Sequence, residues 1–588
     1  MQIIRGIPVS PGVVIGRIAI VGDAQGQRVP RRLIAQDANP EDEVARFEAA
    51  REASIAELKQ IHETAGAEMG HEAANVFLFH IGALNDRALL EPIEQRIRQE
   101  RTTAEYAAAS VLRAWAAKFA KQRDAAFRTK INDLQDLATR LIKHLEGDAS
   151  GAHEWRFDGP TIVAARELTP SQTAAFDREK VVGFVTDLGG PTSHTAIFAR
   201  ALNLPAVVGC HRVTRSASDG DTINIDGERG TVVIDPDADT LRQYRASMEQ
   251  AETYRLSLRE VVDLPAVTRD GVAIDLWGNI EIADEARAVI ELGGAGVGLY
   301  RTEFLYLTSD FEPTEEDHFH AYRRCIELLD GRPLTIRTVD LGADKYTQER
   351  ASEPERNPFL GLRSLRYCLQ NLPMFMTQLR AILRASAYGP VKVMFPLVAS
   401  TQEFRQARHL LHDAMEDLEE IETPFDREIE VGMMIEVPSA AIMADSFAKE
   451  VDFFSIGTND LVQYTLAVDR TNERVANLYQ PAHPAVIRLI KGVLDVGRDR
   501  GVPVSCCGEA AADPAIAHLL IGLGLRTLST ASSSIPALKR LVRSLTIADC
   551  ERTAAKALTF DSEVEAAAYV RDRARKLVPE AFDGRLDD

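Results

Sequence analysis

The sequence predicts an α/β multidomain chain: an N-terminal α/β domain with an inserted helical bundle, a linker helix, and a C-terminal (β/α)8 barrel of the TIM type. Three observations carry this expectation. Short β-rich runs flank a long stretch that is rich in Ala, Glu, Arg and Leu, almost free of Gly and Pro, and apolar at helical spacing. A charged, Gly-free run follows, from Thr240 to about Val262. Beyond it, eight short apolar strands alternate with helical segments, as repeated βα units do. Length agrees, because 588 residues exceed what one ordinary core organises.

Taken in order, Ile7-Pro8-Val9-Ser10-Pro11-Gly12 reads as a turn and Val13 to Ile20 as a β-rich run. Its partner strands come much later, at 160–165, 181–186, 206–208, 222–225 and 231–234, so the α/β domain is assigned to 1–38 and 148–235. The interruption, 39–147, is expected to be a helical subdomain; Val111, Leu112, Trp115, Ala116 and Phe119 show the spacing. The linker helix is placed at 236–262, with Asp235, Asp237 and Asp239 about its start, where the dipole favours them. The barrel is assigned to 263–575 and a tail to 576–588. Its expected strands are 272–277, 296–300, 334–339, 391–397, 431–436, 453–457, 503–507 and 527–530.

In such a barrel the active site lies at the C-terminal strand ends. Polar residues fall there: Arg301 follows strand two, Arg337 and Asp340 close strand three, Glu436 ends strand five, Asn459 and Asp460 follow strand six, and Cys507 ends strand seven.

Composition excludes several classes. A net charge of −20 argues against nucleic acid and against an anionic membrane surface, and makes a basic protein partner more plausible. The start Met1-Gln2-Ile3-Ile4-Arg5 has no secretory leader pattern, and no apolar run is long enough to insert in a membrane, so a cytoplasmic location is expected. The six cysteines are scattered without a C-x-x-C pair and read as reduced thiols. Gly293 to Gly298 lacks the G-x-G-x-x-G spacing and leads into a strand, and there is no G-x-x-x-x-G-K-[ST] string, so nothing announces a nucleotide.

The most informative stretch is 189–200, Gly-Gly-Pro-Thr-Ser-His-Thr-Ala-Ile-Phe-Ala-Arg. Gly189, Gly190 and Pro191 read as a turn, Thr192 or Ser193 as an N-cap, and Thr195 to Arg200 as the first turns of a helix. That sets His194 at a helix N-terminus, where unpaired N–H groups favour a neutral ring and an anion attached to it. Such an imidazole can attack phosphorus without a separate proton acceptor. A lone histidine in a glycine-rich turn is more often a cap or a surface residue; the whole string decides for chemistry. It resembles the phosphohistidine signature of the phosphoenolpyruvate (PEP)-utilising family, whose members include enzyme I of the sugar phosphotransferase system, pyruvate phosphate dikinase and PEP synthase.

Further strings carry the same resemblance: Leu299-Tyr300-Arg301-Thr302-Glu303-Phe304, Ile336-Arg337-Thr338-Val339-Asp340, Val431 to Ser439, and Phe453 to Tyr464. Similarity to the enzyme I branch covers nearly the whole chain. It implies that PEP is the substrate, that His194 carries the phosphoryl group to a histidine-containing phosphocarrier protein (HPr type) docked on the helical insertion, and that the enzyme is a homodimer through the barrel. A phosphate and a carboxylate on one small molecule call for bidentate, permanently charged partners, and Arg301, Arg337 and Arg470 fit, with Asn459 and Asp460 beside them. Glu436 and Asp460, on neighbouring strands, could share one Mg2+. By resemblance Cys507 gives the proton that turns the enolate into pyruvate; alternation points Cys506 the other way, and a register slip of one residue would exchange the two.

The expected function is therefore the first phosphoryl transfer of a sugar-uptake phosphotransferase system. The alternatives are a nitrogen-regulatory paralogue, a relative that regenerates PEP with ATP, and a PEP-sensing binding module without activity. The lack of an N-terminal sensory domain leans toward uptake.

Overall fold

The computed structural model describes residues 1–579 apart from 11, 22–28, 36–37, 70–76, 78–79, 121–124, 147–156, 158, 170–171, 174–175, 177–179, 191–192, 203, 308–311, 343–356, 471 and 473–474; within its helices it does not describe the side chains of 63–69, 117, 119–120, 125–132, 135, 146, 194, 197, 201, 247, 251–252, 255 and 477. The chain divides into two compact units, 1–249 and 250–588, and the helix Ala238–Arg259 runs across the division.

The first unit holds an eight-stranded mixed sheet. Its strands are β1 (Gln2–Arg5), β2 (Ile7–Ser10), β3 (Val13–Val21), β4 (Thr161–Ala165), β5 (Val181–Thr186), β6 (Ala206–Val208), β7 (Thr222–Asp226) and β8 (Thr231–Ile234), in the order β1-β8-β7-β3-β4-β5-β6-β2. β3 and β4 pair in parallel, Arg17 opposite Thr161, although some 140 residues separate them in sequence. The four long helices between them, α1 (Pro40–Met69), α2 (Arg87–Glu100), α3 (Ala104–Ala120) and α4 (Ala125–Glu146), enclose a core of their own that includes Phe47, Phe77, Leu112, Leu137 and Leu141.

One sequence expectation is corrected here. Ile7 to Ser10 is a strand rather than a turn, and it pairs antiparallel with β6. Pro8 is tolerated because β2 is an edge strand, where a missing N–H costs no ladder bond.

In the second unit eight parallel strands close into the expected barrel: β9 (Asp275–Ile280), β10 (Val297–Tyr300), β11 (Leu334–Arg337), β12 (Val391–Phe395), β13 (Glu430–Ile435), β14 (Phe454–Ile456), β15 (Val504–Cys506) and β16 (Thr527–Ala531), with β16 pairing back to β9. The first strand lies three residues further on than the sequence indicated. Ala273 instead forms an isolated antiparallel bridge with Val267 around the turn at Gly271, which takes 272–274 out of the barrel ladder. Apolar side chains of strands and surrounding helices, among them Ile336, Phe375, Phe395, Phe404 and Phe454, make one continuous core. Against the expected tail at 576–588, the helix Glu563–Leu577 continues into its first residues, and 580–588 lie outside the described residues.

Candidate active site

His194 opens the helix α5 (His194–Ala201), which follows β5. Ser193 is its N-cap, with Oγ accepting from the N–H of Ala196 at 3.4 Å; Thr192 and Pro191, also considered for this turn, lie outside the described residues. Gly189 has a φ of +107°, and a Cβ there would sit 3.2 Å from Ser193 Oγ, so glycine is required for the chain to enter the cap. α5 is anchored from its buried side by Phe198, whose ring meets Phe77 edge-on at 6.3 Å and joins the core of the four-helix insertion. The imidazole of His194 is outside the described side chains.

In the barrel unit the sequence-selected residues converge. Arg301, Arg337, Glu436, Asn459, Asp460, Arg470 and Cys507 all line one cleft of about 300 Å³ at the C-terminal strand ends. Five elements deliver them, which is how a barrel assembles chemistry from residues distant in sequence.

Ion pairs of alternating sign hold the floor of this cleft. Arg337, at the end of β11, meets Glu303 at 3.0 Å and Asp340 at 3.2 Å. Asp340 also accepts two bonds from Arg363, at 2.9 and 3.0 Å, and Arg363 reaches Asp460 at 3.4 Å. Tyr464 accepts from Arg363 at 3.1 Å and donates to the Phe359 carbonyl at 2.5 Å. Burial works against the charge on Asp340, but Arg363 and Arg337 outweigh it and hold the carboxyl below the usual range. Even so, Nε of Arg337 and Nε of Arg363 are buried without an acceptor among the described residues. Two orphaned guanidinium donors beside a cleft are what an anionic ligand would satisfy.

The carboxylates on the other side behave differently. Glu436 follows β13 with Oε1 accepting from the Leu397 N–H at 2.6 Å, and Gly457 leaves it room, since a Cβ there would lie 2.8 Å from Oε2. Burial, then the charges of Asp460 and Asp340, push its carboxyl up to about 8. Asp460, in the first turn of the helix Thr458–Leu466, is also raised, chiefly by burial. Two oxygen-bearing groups that resist losing their protons next to one another are suited to a shared cation, whose charge would reverse the repulsion. Among the described residues no cluster of three or more His, Cys, Asp or Glu side chains that could hold a metal ion is present.

At the rim, Arg301 pairs with Glu281 at 2.9 Å and Arg470 with Glu509 at 2.9 Å, while Asn459 and Glu509 exchange two bonds of 2.9 Å. Cys507, just beyond β15, is buried in an apolar ring of Leu299, Met394, Met434 and Phe453. Its thiol is raised by that burial. Cys506 faces away, into the core between barrel and helices.

Arg363 was not singled out from the sequence. It comes from a loop rather than a strand end, and the only sign is a single arginine in the run Gly361-Leu362-Arg363-Ser364-Leu365, where an apolar flank accompanies a buried charge. The rim counter-ions Glu281 and Glu509 carried no sequence signal beyond standing near their partners' strands.

Models of PEP-utilising enzymes match the chain in three blocks: the N-terminal region over residues 5–130, the mobile domain over 157–230 and the PEP-binding domain over 255–547. The phosphoenolpyruvate-protein phosphotransferase of Bacillus subtilis (strain 168) is 40% identical over 572 residues, 97% of this chain and 100% of that protein. The chain belongs to the phosphoenolpyruvate-protein phosphotransferase family. Family members of Listeria monocytogenes (serovar 1/2a, strain EGD-e), 41% identical over 96% of this chain and 97% of their own, and of Geobacillus stearothermophilus, 40% identical over 97% of each, agree. Within this phosphotransferase family the mobile-domain match contains His194, and the PEP-binding match contains the seven selected barrel residues.

Proposed function

We propose that this chain takes the phosphoryl group of PEP onto His194 and passes it to a histidine-containing phosphocarrier protein of the HPr type, releasing pyruvate, as the first step of a sugar-uptake phosphotransferase system. The observation that carries the reading is the cleft in which buried, acceptor-less guanidinium nitrogens, a pair of raised carboxylates and a buried thiol lie together.

In this reading Arg301, Arg337 and Arg470, with Arg363, bind the phosphate and carboxylate of PEP, and Asn459 positions it. Glu436 and Asp460 would hold Mg2+, which when bound neutralises charge on the substrate. A ring nitrogen of His194 forms a bond to phosphorus as the bond from phosphorus to the enol oxygen breaks, and the enolate carbon then takes the thiol proton of Cys507. Because His194 belongs to one unit and the cleft to the other, direct transfer requires the two to meet during turnover. Pairing of two copies through the barrel unit and a cytoplasmic location belong to the same reading. The exposed Ile442 and Met443 offer the barrel apolar surface, and among the described residues no helix is long and apolar enough to cross a membrane.

Incubation with radiolabelled PEP and Mg2+ tests the proposal. The protein should acquire acid-labile label that moves on to the added phosphocarrier, and His194→Ala should acquire none. Persistent acid-labile label in that variant removes His194 from the mechanism, and ATP-dependent consumption of pyruvate would replace the reading with PEP regeneration.

A further inference from the structure

Ser455 is the middle residue of β14, buried to 1% exposure. Its neighbours Phe454 and Ile456 pack outward into the core between barrel and helices, so alternation turns Ser455 to the barrel interior. On the adjacent strand the same alternation separates Cys506, outward, from Cys507, inward. The two inward groups meet: Ser455 Oγ donates to Cys507 Sγ at 3.2 Å. The backbone fixes this approach, because β14 and β15 pair Ile456 with Cys506 and the Cys507 N–H donates to the Ile456 carbonyl at 3.0 Å. Asn279 secures the Cys507 carbonyl from the other side at 2.9 Å.

A hydroxyl at this depth is costly unless it is paired, and the side chains clustered with Cys507, namely Leu299, Met394, Met434 and Phe453, are apolar. If packing were the only demand, an apolar side chain would serve. A donor aimed at sulfur does two things that packing does not. It occupies one side of the sulfur, so the thiol's own hydrogen points elsewhere. It also stabilises negative charge on sulfur, opposing the burial that favours the neutral thiol.

We propose that Ser455 is the positioning residue for the proton step, holding the Cys507 thiol so that its hydrogen, which makes only a long 3.8 Å contact with the Ile456 carbonyl, can turn to the enolate, and stabilising the thiolate left behind. The inference rests on the reading of Cys507 as proton donor. In the step the S–H bond breaks, a C–H bond forms at the enolate's terminal carbon, the enolate oxygen becomes the ketone of pyruvate, and the electron pair stays on sulfur. Water then returns a proton to the thiolate once pyruvate has left. The charged groups facing this sulfur are Glu436 beyond β13, Arg337 at the end of β11 and Arg301 beyond β10. None is altered by a change at 455, so a difference between variants reads the hydroxyl.

The test compares Ser455→Ala, Ser455→Thr and Cys507→Ala in the full chain. It uses three readouts: label on His194 from radiolabelled PEP in a single turnover, the rate of pyruvate formation, and the pH midpoint of iodoacetamide alkylation of Cys507 by peptide mass. Ser455→Ala should label His194 within about twofold of wild type, form pyruvate about tenfold more slowly, and raise the alkylation midpoint by about one unit, the equivalent of that tenfold. Ser455→Thr, which keeps the hydroxyl, should recover most of both losses. Ser455→Gly removes the same hydroxyl and serves if the alanine variant does not fold. An unchanged alkylation midpoint in the hydroxyl-less variant overturns the inference, as does unchanged pyruvate formation while Cys507→Ala is slow. Normal pyruvate formation by Cys507→Ala overturns the proton-donor reading itself.

Discussion

The two units hold their functional groups by opposite means. In the barrel, Arg337, Arg363, Asp340 and Asp460 form a buried lattice in which every charge is neutralised by a neighbour, so geometry and stability rest on the same side chains. In the first unit His194 stands at the start of an eight-residue helix held by a serine cap, by Ala196 and Ala199 packed against the sheet, and by Phe198 seated among the insertion helices, all of them uncharged contacts. A substrate with fixed charges needs the first arrangement, since electrostatic preorganisation costs nothing at the moment of reaction. On the proposed function, a group that serves both a small molecule and a protein partner is better carried on an element whose stability does not depend on it.

That contrast can be broken most directly by pairing two substitutions. His194→Ala should abolish phosphorylation and leave thermal unfolding unchanged. Arg363→Met should impair PEP turnover and also destabilise the barrel unit by about 3–5 kcal/mol, because Asp460 loses its cationic partner and Asp340 keeps only Arg337 of its two while both stay buried. A calorimetric trace in which Arg363→Met unfolds like wild type would mean that the lattice serves chemistry alone. Phe198→Ala should cost the first unit about 3–5 kcal/mol through the cavity it leaves, without touching the cleft; unaltered unfolding of that unit would show that the packing of Ala196 and Ala199 against the sheet is enough to hold α5.

Acidification should sharpen the difference from the barrel side. His318 and His518 are fully buried, and burial pulls each down to about 4, whereas in the unfolded chain both take up a proton near pH 6.5. The unfolded state therefore binds more protons at these two rings between those values, and the stability they contribute, complete above pH 6.5, is lost as pH falls toward 4, while the Glu436 carboxyl, raised to about 8, shifts the barrel in the opposite sense and is common to wild type and the histidine variants. By pH 5 each ring should account for about 2 kcal/mol. Denaturant midpoints at pH 7 and pH 5 measure the loss, and His518→Leu should reduce it; equal slopes in the variant and wild type would exclude that ring. The smallest effect expected is that of Ser193→Ala, about 1 kcal/mol from the lost cap, seen as earlier hydrogen exchange in α5.

The barrel was largely legible in the sequence because its logic is local and repeated. Most strands are short apolar runs with a polar residue at or soon after their end, so Arg337, Glu436, Asp460 and Cys507 announce themselves by position. Arg363 follows no strand, and its burial arises only when a loop folds back over Asp340. Pro8, Pro11 and Gly12 punctuate the opening of the sequence like a turn, and only the pairing of β2 with a strand some 200 residues away makes it an edge. Nor does the spacing of α5 say which neighbour receives Phe198, since an apolar position records that it is buried and not where.

The seat of Phe198 among the insertion helices limits how freely this architecture can be recombined. A chimera that exchanged α1 to α4 for the equivalent helices of a relative would transplant most of one pocket wall and leave its plug behind on α5. Successful grafts should therefore carry position 198 with the helices, and the insertion would change over time together with the helix that bears His194.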